Sequence, residues 1–207
     1  RSTLFPYTTL FRSYTITVTA AVLPSTAAEI RTFAFAEVEA ESIKIDSTSV
    51  SVNATMAYGT DITALTPKFT ISAAASVSST TMVYIDSINT YTYSEPINFT
   101  NPLKIKVTAQ DTTVVKEWTI NVDVIQPKTL SIYDIQYSAK DTSLYINQFV
   151  STTGVVTSIV ANGNGYELYM QDSPKAWNGI LVYDETGIAK NVKRGDRVKV
   201  VGTVTEY

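Results

Sequence analysis

The sequence predicts an all-β protein, in which an antiparallel sandwich is followed by a small Greek-key barrel. β-Branched and aromatic residues, including 13 Tyr and 7 Phe, are abundant and suit pleated, half-buried strands. Short runs that alternate apolar and polar residues recur along the chain, and Gly, Pro, Asn and Asp turn signals separate them. After residue 128 the strands become longer and the turns richer in Gly, which indicates a second domain.

The first thirteen residues stand outside this pattern. Residues 1–13, RSTLFPYTTLFRS, resemble the in-frame translation of a common short-read sequencing adapter, so they are set aside as one sets aside an expression tag. We therefore expect the native sequence to begin near Tyr14. The last ten residues alternate like a strand and stop without a turn. The sequence is therefore expected to be an internal piece of a longer protein.

The residue types that are missing restrict the possible chemistry. The chain has no Cys and no His, which excludes disulfides, thiolate zinc sites and Ser-His or Cys-His nucleophilic systems within it. We expect no catalytic residue, no metal ligand and no cofactor, so the chain itself is predicted not to be an enzyme. No apolar run approaches the roughly 18 residues that span a bilayer, so no membrane insertion is expected.

The charge of the chain also restricts its partners. The net charge is −3, or −5 without the two positive charges of Arg1 and Arg12. Strong non-specific attraction to nucleic acid or anionic lipid requires clustered Lys and Arg, so it is not expected from this balance.

Residues 27–125 are predicted to form the sandwich. Residues 14–26 read as the last strand and linker of a preceding repeat, because Tyr-Thr-Ile-Thr-Val at 14–18 is similar to Trp-Thr-Ile-Asn-Val at 118–122, a spacing of about 100 residues that suits tandem sandwiches. A chance match between two alternating strands is the alternative. Residues 34–40 are ambiguous, since their composition also suits a helix. Alternation predicts strands at residues 30–35, 43–45, 50–53, 69–72, 83–88, 103–108 and 114–124.

Residues 126–128 are predicted to be a linker, and residues 129–207 the barrel. Asn162-Gly163-Asn164-Gly165 is a strong hairpin signal between two of its strands. Lys193-Arg194-Gly195-Asp196 is a second turn, ahead of the last strand. The predicted strands are residues 150–160, 166–171, 180–184 and 198–205.

Three motifs of the first half carry a family resemblance. Residues 59–72, with Asn-Phe-Thr-Asn-Pro at 98–102 and Val-Thr-Ala-Gln-Asp at 107–111, resemble the tandem Ig-like repeats of Bacteroidota surface and secreted proteins. The family pattern has Glu-Asp-Gly at the late hairpin, where this chain has Gln110-Asp111-Thr112. The resemblance implies an Ig-like β-sandwich that serves as a spacer, in an extracellular or cell-surface protein.

Four motifs of the second half carry another resemblance. They are Thr-Gly-Val-Val-Thr at 153–157, Tyr-Met-Gln-Asp at 169–172, Trp-Asn-Gly-Ile-Leu-Val-Tyr at 177–183 and the segment 194–204. Together they resemble the OB-fold domains of Bacteroidota secreted proteins, including those that precede extracellular nuclease domains. The resemblance implies a five-stranded Greek-key barrel. Only four strands are evident, so we expect an OB-fold barrel truncated after Tyr207.

The candidate binding residues lie in this barrel. Alternation puts Tyr169 and Tyr183 on one outer face, and Trp177 lies in the loop between their strands. The three rings would form a platform on which bases or sugars stack. In the alternative, the Tyr rings pack against the preceding domain and Trp177 plugs the barrel end.

Four cations could add contacts to anionic groups: Lys193, Arg194, Arg197 and Lys199. From residue 129 onward, however, the sequence contains seven Lys and Arg and eight Asp and Glu, so this region carries no net positive charge. A charged turn and strand edge, which discourages edge-to-edge aggregation, is therefore the competing interpretation.

The acidic residues give no catalytic signal. Glu37, Glu39 and Glu41 recur at every second position and are read as a solvated face. Asp184-Glu185-Thr186-Gly187 could touch a calcium ion, but it lacks the alternating oxygen ligands of a calcium loop.

The sequence thus predicts a non-catalytic spacer and binding module of a secreted or cell-surface bacterial multidomain protein. The barrel is expected to bind a glycan, a single-stranded nucleic acid or a protein, with neighbouring domains of the same chain as further partners. The alternative is the accessory nucleic-acid-binding region of an extracellular nuclease whose catalytic domain lies downstream. A mechanical stalk without a ligand is the third possibility. An oligonucleotide affinity that falls steeply with salt would favour the nuclease.

Overall fold

The computed structural model describes residues 22–78, 82–86 and 89–206. Residues 1–13 and nearly all of the strand expected at 14–22 lie outside the described residues. The regular secondary structure of the described residues is almost entirely β-strand, which confirms the all-β class. Two compact units can be distinguished. The first holds most residues up to Asn121, and the second holds Val122–Tyr207 with two short segments, Glu39–Ser42 and Ala54–Ile62.

Two sheets are formed by the chain before residue 125. Their strands are β1 Ile30–Phe35, β2 Ser42–Asp46, β3 Ser51–Met56, β4 Pro67–Ile71, β5 Ser76–Val77, β6 Met82–Asp86, β7 Thr90–Tyr93, β8 Leu103–Thr108 and β9 Val115–Val124. One sheet has the order β1-β4-β7-β6 and the other the order β2-β3-β9-β8-β5. Each strand predicted in this region has a counterpart, and the prediction at 83–88 can be checked only as far as residue 86.

The differences from the predicted strands are short elements. The two-residue strand β5 and the strand β7 were not predicted. Residues 36–40 form no helix, so the helical interpretation of residues 34–40 is wrong. Glu37 does not lie in a strand either. Its Oε2 accepts a hydrogen bond from the Thr66 N–H at 2.9 Å.

The interior of the first unit follows the alternation of its strands. Phe33 and Phe35 on β1, and Phe69 and Ile71 on β4, are buried, whereas the residues between Phe33 and Phe35 and between Phe69 and Ile71 are not. The rings of Phe33 and Phe69 are stacked with centroids 6.3 Å apart. Burial of each such side chain contributes about 1.5–3 kcal/mol, so this alternation holds the sheets in register.

Trp118 on β9 ties the second sheet to the segment that enters β1. It is fully buried, and its indole N–H donates to the carbonyl oxygen of Ala28 at 3.0 Å, as a buried donor requires. Two residues before it, Lys116 pairs with Glu29. Burial acts to raise the pKa of Glu29, but hydrogen bonding and the charge of Lys116 outweigh it and hold that pKa below its usual value.

A third sheet occupies the chain after residue 127. Its strands are β10 Lys128–Thr129, β11 Phe149–Asn162, β12 Gly165–Gln171, β13 Gly179–Asp184 and β14 Arg197–Thr203, with a short helix α1 Ile132–Gln136 and a 3₁₀ helix Ile188–Asn191. β11, β12 and β13 are consecutive antiparallel neighbours, and β14 returns to pair with β11. The order β14-β11-β12-β13 is that of a Greek key. The four predicted strands are all present, whereas β10 and the two helices were not predicted.

The strand β11 has two successive antiparallel partners, β14 and β12, besides the two-residue parallel strand β10. The first half of β11 pairs with β14, from Phe149↔Thr203 to Val155↔Arg197. Its second half pairs with β12, and the register shifts between Val156 and Ser158. Such a bulge increases the local twist and bends a strand, which allows β11 to serve both neighbours.

The interior of this sheet contains Val156, Leu168 and Ala189. Ile132 of α1 is fully buried and lies against β11, since a Cβ added to Gly154 would come 3.0 Å from Ile132 Cδ1 and 2.7 Å from Met170 Cε. Ile132 therefore fills the interior at this point. Trp177 is 54% exposed, so it does not plug the interior as the alternative interpretation expected. Among the described residues, no helix is long and apolar enough to cross a membrane.

Candidate functional site

The outer face of β11, β12 and β13 carries the first group of predicted residues. Tyr169 on β12 pairs with Leu181 on β13, and Glu167 pairs with Tyr183. Tyr169 and Tyr183 are therefore diagonal neighbours on one face, as the alternation predicted, and they are 41% and 54% exposed. Val160 of β11 lies on the other side of Glu167 and is exposed as well. This outer face thus presents apolar surface around one carboxylate.

Glu167 is held in place by two neighbours. Its Oε2 accepts a hydrogen bond from the Tyr169 hydroxyl at 3.2 Å, and its Oε1 accepts one from Asn162 Nδ2 at 2.7 Å. The hydrogen bond to Glu167 and its negative charge raise the pKa of Tyr169. The Tyr169 hydroxyl thus donates to a carboxylate whose orientation is also set by Asn162, and Tyr183 lies opposite Glu167 on the neighbouring strand.

Trp177 is presented by the loop between β12 and β13 in an unusual backbone conformation. Its φ is +66°, in the left-handed region, which costs about 1–2 kcal/mol for a residue with a Cβ. The base of the loop is pinned by Asp172. Its Oδ2 accepts from the Ile132 N–H at 3.0 Å, and its Oδ1 accepts from Asn178 Nδ2 at 2.7 Å. The loop is thereby fixed to α1.

Tyr133 of α1 and Tyr137, the residue that follows the helix as its C-cap, complete a group that the sequence interpretation missed. Tyr133 and Tyr137 stand one helical turn apart, and their rings are stacked with centroids 5.0 Å apart and an interplanar angle of 9°. Trp177 meets Tyr137 edge to face, at 6.1 Å and 80°. We call Tyr133, Tyr137 and Trp177 the aromatic cluster.

A signal for this cluster was present in the sequence. Ser131 and Asp134 form a capping box, in which the Ser131 hydroxyl accepts from the Asp134 N–H at 3.1 Å and Asp134 Oδ2 accepts from the Ser131 N–H at 3.2 Å. The Ser-x-x-Asp pattern can mark the start of a helix. Tyr133 and Tyr137 would then have been placed on one face.

The structure therefore divides the three predicted aromatic residues. Tyr169 and Tyr183 share the sheet face around Glu167, whereas the ring contact described for Trp177 is with Tyr137. A single platform formed by all three rings remains a prediction.

The four predicted cations lie at and after the turn that leads into β14. The Lys193 N–H donates to Asp196 Oδ2 at 2.8 Å, and the Gly195 N–H, at φ +94°, donates to the Val156 carbonyl at 2.8 Å. Arg197 and Lys199 follow at alternate positions of β14. Lys193, Arg194, Arg197 and Lys199 are all exposed. The ion pairs found within the described ranges belong to the first two sheets, so these four charges face solvent.

Asp184, in the segment that was considered as a calcium contact, has a structural role. Asp184 Oδ1 accepts from the Thr186 N–H and the Gly187 N–H, at 3.0 and 3.1 Å, and Oδ2 accepts from the Ala189 N–H at 2.7 Å. The bond from Ala189 is the main cause that holds the pKa of Asp184 below its usual value. Its oxygens organise the 3₁₀ helix. In the part of the chain that the structure describes, no three acidic side chains are grouped to hold a metal ion.

Comparison with known proteins finds a similarity for part of the chain. Residues 30–122 match the family model described as SGBP, N-terminal. This region is similar to the N-terminal domain of the surface glycan-binding proteins of Bacteroidota. The match agrees with the resemblance to Bacteroidota surface proteins stated for the first half of the sequence. It covers β1 to β9 and leaves the Greek-key sheet unassigned.

Comparisons with solved structures and with curated proteins give two further findings. A solved structure from Bacteroides thetaiotaomicron, provisionally named as that of a glycoside hydrolase, is 19% identical, with a TM-score of 0.38, over 78% of this chain and 37% of that one. The chain thus spans little more than a third of that protein. No curated protein matches the chain.

Proposed function

We propose that this chain is a non-catalytic, glycan-binding part of a cell-surface protein of Bacteroidota. The match of residues 30–122 to the N-terminal domain of surface glycan-binding proteins supports a role at the surface. In this proposal, the two sheets before residue 125 are an Ig-like spacer. The following sheet is an OB-fold barrel that carries the ligand, an assignment supported by its Greek-key order β14-β11-β12-β13.

The observation that carries the proposal is the pair of exposed tyrosines beside a fixed carboxylate. Ligand sites combine apolar and aromatic surface with a few polar groups that fix orientation. Tyr169 and Tyr183 offer the apolar surface, and Glu167, held by the Tyr169 hydroxyl and by Asn162, offers acceptors for sugar hydroxyls. Lys193, Arg194, Arg197 and Lys199 would contact any acidic groups of the glycan.

The charge of the Greek-key sheet favours a glycan over a nucleic acid. Seven Lys and Arg stand against eight Asp and Glu from residue 129 onward, whereas nucleic-acid affinity depends mainly on neutralising phosphates. Glu167 at the centre of the sheet face would also repel a phosphate backbone. No observation on the described residues favours the nuclease alternative.

A binding assay tests the proposal. The 207-residue chain would be applied to an array of neutral and acidic oligosaccharides and to single-stranded oligonucleotides, together with the double variant Tyr169→Ala, Tyr183→Ala. We expect glycan binding that the double variant loses and that changes little with salt. Ile188→Ala, which removes another highly exposed apolar side chain, is the matched control. Binding to oligonucleotides alone, with a steep salt dependence, would refute the proposal.

A further inference from the structure

The geometry points to a separate ligand site at the aromatic cluster: we propose that Trp177 stacks on a neutral pyranose ring of a glycan, with Tyr137 and Tyr133 as its supporting wall. This inference rests on the proposed glycan-binding function and, as an alternative to a single platform of Tyr169, Trp177 and Tyr183, adds a site at Trp177 that does not include the two sheet tyrosines. It assigns a role to Tyr133 and Tyr137, which no motif had singled out.

The first support is the arrangement of the three rings. The stacked rings of Tyr133 and Tyr137 form one wall, and Trp177 stands nearly perpendicular to Tyr137, at 80°. Exposed large apolar side chains that occur singly are ordinary, but here Tyr137 contacts both Tyr133 and Trp177, and the three rings form a patch. Tyr133, Tyr137 and Trp177 are 40%, 46% and 54% exposed, so each ring has surface open to solvent.

The second support is that the Trp177 backbone is strained without benefit to the interior. Six non-glycine residues of the described ranges have positive φ, and Trp177 has the largest side chain among them. Bulky residues in this region are outliers that cluster at functional sites. The interior beneath α1 is filled by Ile132, so the fold does not need the indole there. The strained conformation instead holds a large ring at the surface.

The third support is that both sides of the corner are fixed before a ligand arrives. Asp172 joins the start of α1 to the base of the Trp177 loop through Ile132 and Asn178. The capping box of Ser131 and Asp134 closes the first turn of α1. Groups that are already ordered lose little conformational entropy on binding, which suits a shallow site that takes one sugar ring.

The charges near the cluster select the class of ligand. The carboxylates of Asp134 and Asp172 are engaged by Ser131, Ile132 and Asn178, and Lys175 is the one cation of the loop between β12 and β13. The charge of Lys128 also acts on Asp134, so two carboxylates and two ammonium groups leave no net positive charge to hold a phosphate or sulfate. The aromatic faces, in contrast, suit the C–H face of an uncharged pyranose.

Intrinsic fluorescence gives a direct test, because the chain has two Trp and Trp118 is fully buried. Quenching by acrylamide therefore reports on Trp177. Cellohexaose, xylohexaose, laminarihexaose and mannohexaose would be titrated into the 207-residue chain, with a single-stranded dT oligonucleotide in parallel. We expect at least one hexasaccharide to protect Trp177 from the quencher and the oligonucleotide to leave it accessible.

Variants separate this site from the sheet face. Tyr137→Ala is expected to weaken the protecting hexasaccharide about tenfold through loss of the ring contact, whereas Tyr137→Phe, which keeps the ring, and Ile188→Ala should leave affinity unchanged. A hexasaccharide that binds without protecting Trp177, and whose affinity Tyr169→Ala with Tyr183→Ala abolishes, would overturn this site and leave the proposed function standing. Failure of the array and of all four hexasaccharides would overturn both.

Discussion

Gly165 packs directly onto the main chain of Asp184: a Cβ at Gly165 would lie 2.0 Å from the Asp184 carbonyl oxygen. Gly165 is the last residue of the predicted hairpin signal and begins β12, and the next residue, Tyr166, pairs with Asp184. The glycine is thus required by a close approach between strands and not by the turn alone. It controls the spacing of the two strands that carry Tyr169 and Tyr183.

Gly165→Ala should therefore destabilise the Greek-key sheet. Because the obstructing atoms belong to the backbone, β12 and β13 must separate locally, and we expect a loss of about 3 kcal/mol in the free energy of unfolding. Equilibrium unfolding in urea would measure this loss of free energy. Gly202→Ala, where a Cβ meets nothing within 4 Å, should change stability by less than about 0.5 kcal/mol. Equal effects of the two substitutions would contradict this account.

Ile132→Ala tests whether α1 is part of the interior. The side chain is fully buried and lies against Gly154 and Met170, so its removal leaves a cavity and should cost about 3 kcal/mol. Calorimetry would show the loss as a lower unfolding temperature. Ile188→Ala removes an isoleucine that is 85% exposed and should have little effect. A mild result for Ile132→Ala would mean that α1 does not seal the sheet.

Asp184 should make the stability of the sheet depend on pH. The Ala189 N–H, followed by Thr186 and Gly187, lowers the pKa of the folded carboxylate. Its contribution is therefore complete above the unfolded pKa, about 3.9, and is lost as the pH falls through the lower folded value. Asp184→Asn should unfold at lower urea concentration at pH 7 and lose less on acidification below about pH 4.

Urea midpoints between pH 7 and pH 2.5 provide the measurement for Asp184. Glu185→Gln changes the neighbouring exposed carboxylate and is the matched control. Parallel pH curves for the wild type and Asp184→Asn would contradict this prediction. They would show that the hydrogen bonds from Ala189, Thr186 and Gly187 stabilise the carboxylate no more than hydration does.

Trp177→Asn should separate stability from binding. Asn tolerates the left-handed region, so the substitution relieves about 1–2 kcal/mol of strain while it removes a ring contact worth about 0.5–1.5 kcal/mol. We expect the free energy of unfolding to change by less than about 1 kcal/mol, whereas hexasaccharide binding at the cluster is lost. A large destabilisation would indicate that Trp177 is kept for folding.

Much of the strand framework could be predicted from local alternation, but the composition of the site could not. Residues 103–108 alternate cleanly and form β8 with the predicted limits. Residues 30–35 form β1 with its predicted limits as well, although a register shift between Ile30 and Thr32 interrupts their alternation. The outer-face position of Tyr169 and Tyr183 follows from the same period of two. The contact between Trp177 and Tyr137 has a different origin, because it depends on a left-handed residue and on a five-residue helix too short to show periodicity. The Ile132 N–H and Asn178 Nδ2 both donate to Asp172 and so join the helix to the loop, whereas the capping box at Ser131 indicates only where the helix begins.

The two successive partners of β11 also set an order of folding. The pairing of β11 with β12 closes through the tight turn at Gly163 and Asn164, whereas β14 must return across the whole of β12, β13 and the 3₁₀ helix. Closing the longer loop costs more chain entropy and is slower. In pulse-labelling hydrogen exchange, we expect amides of β12 to gain protection before those of β14. The β11–β12 hairpin, which carries Tyr169, would then assemble early, and the strand that carries Arg197 and Lys199 would be the last to join.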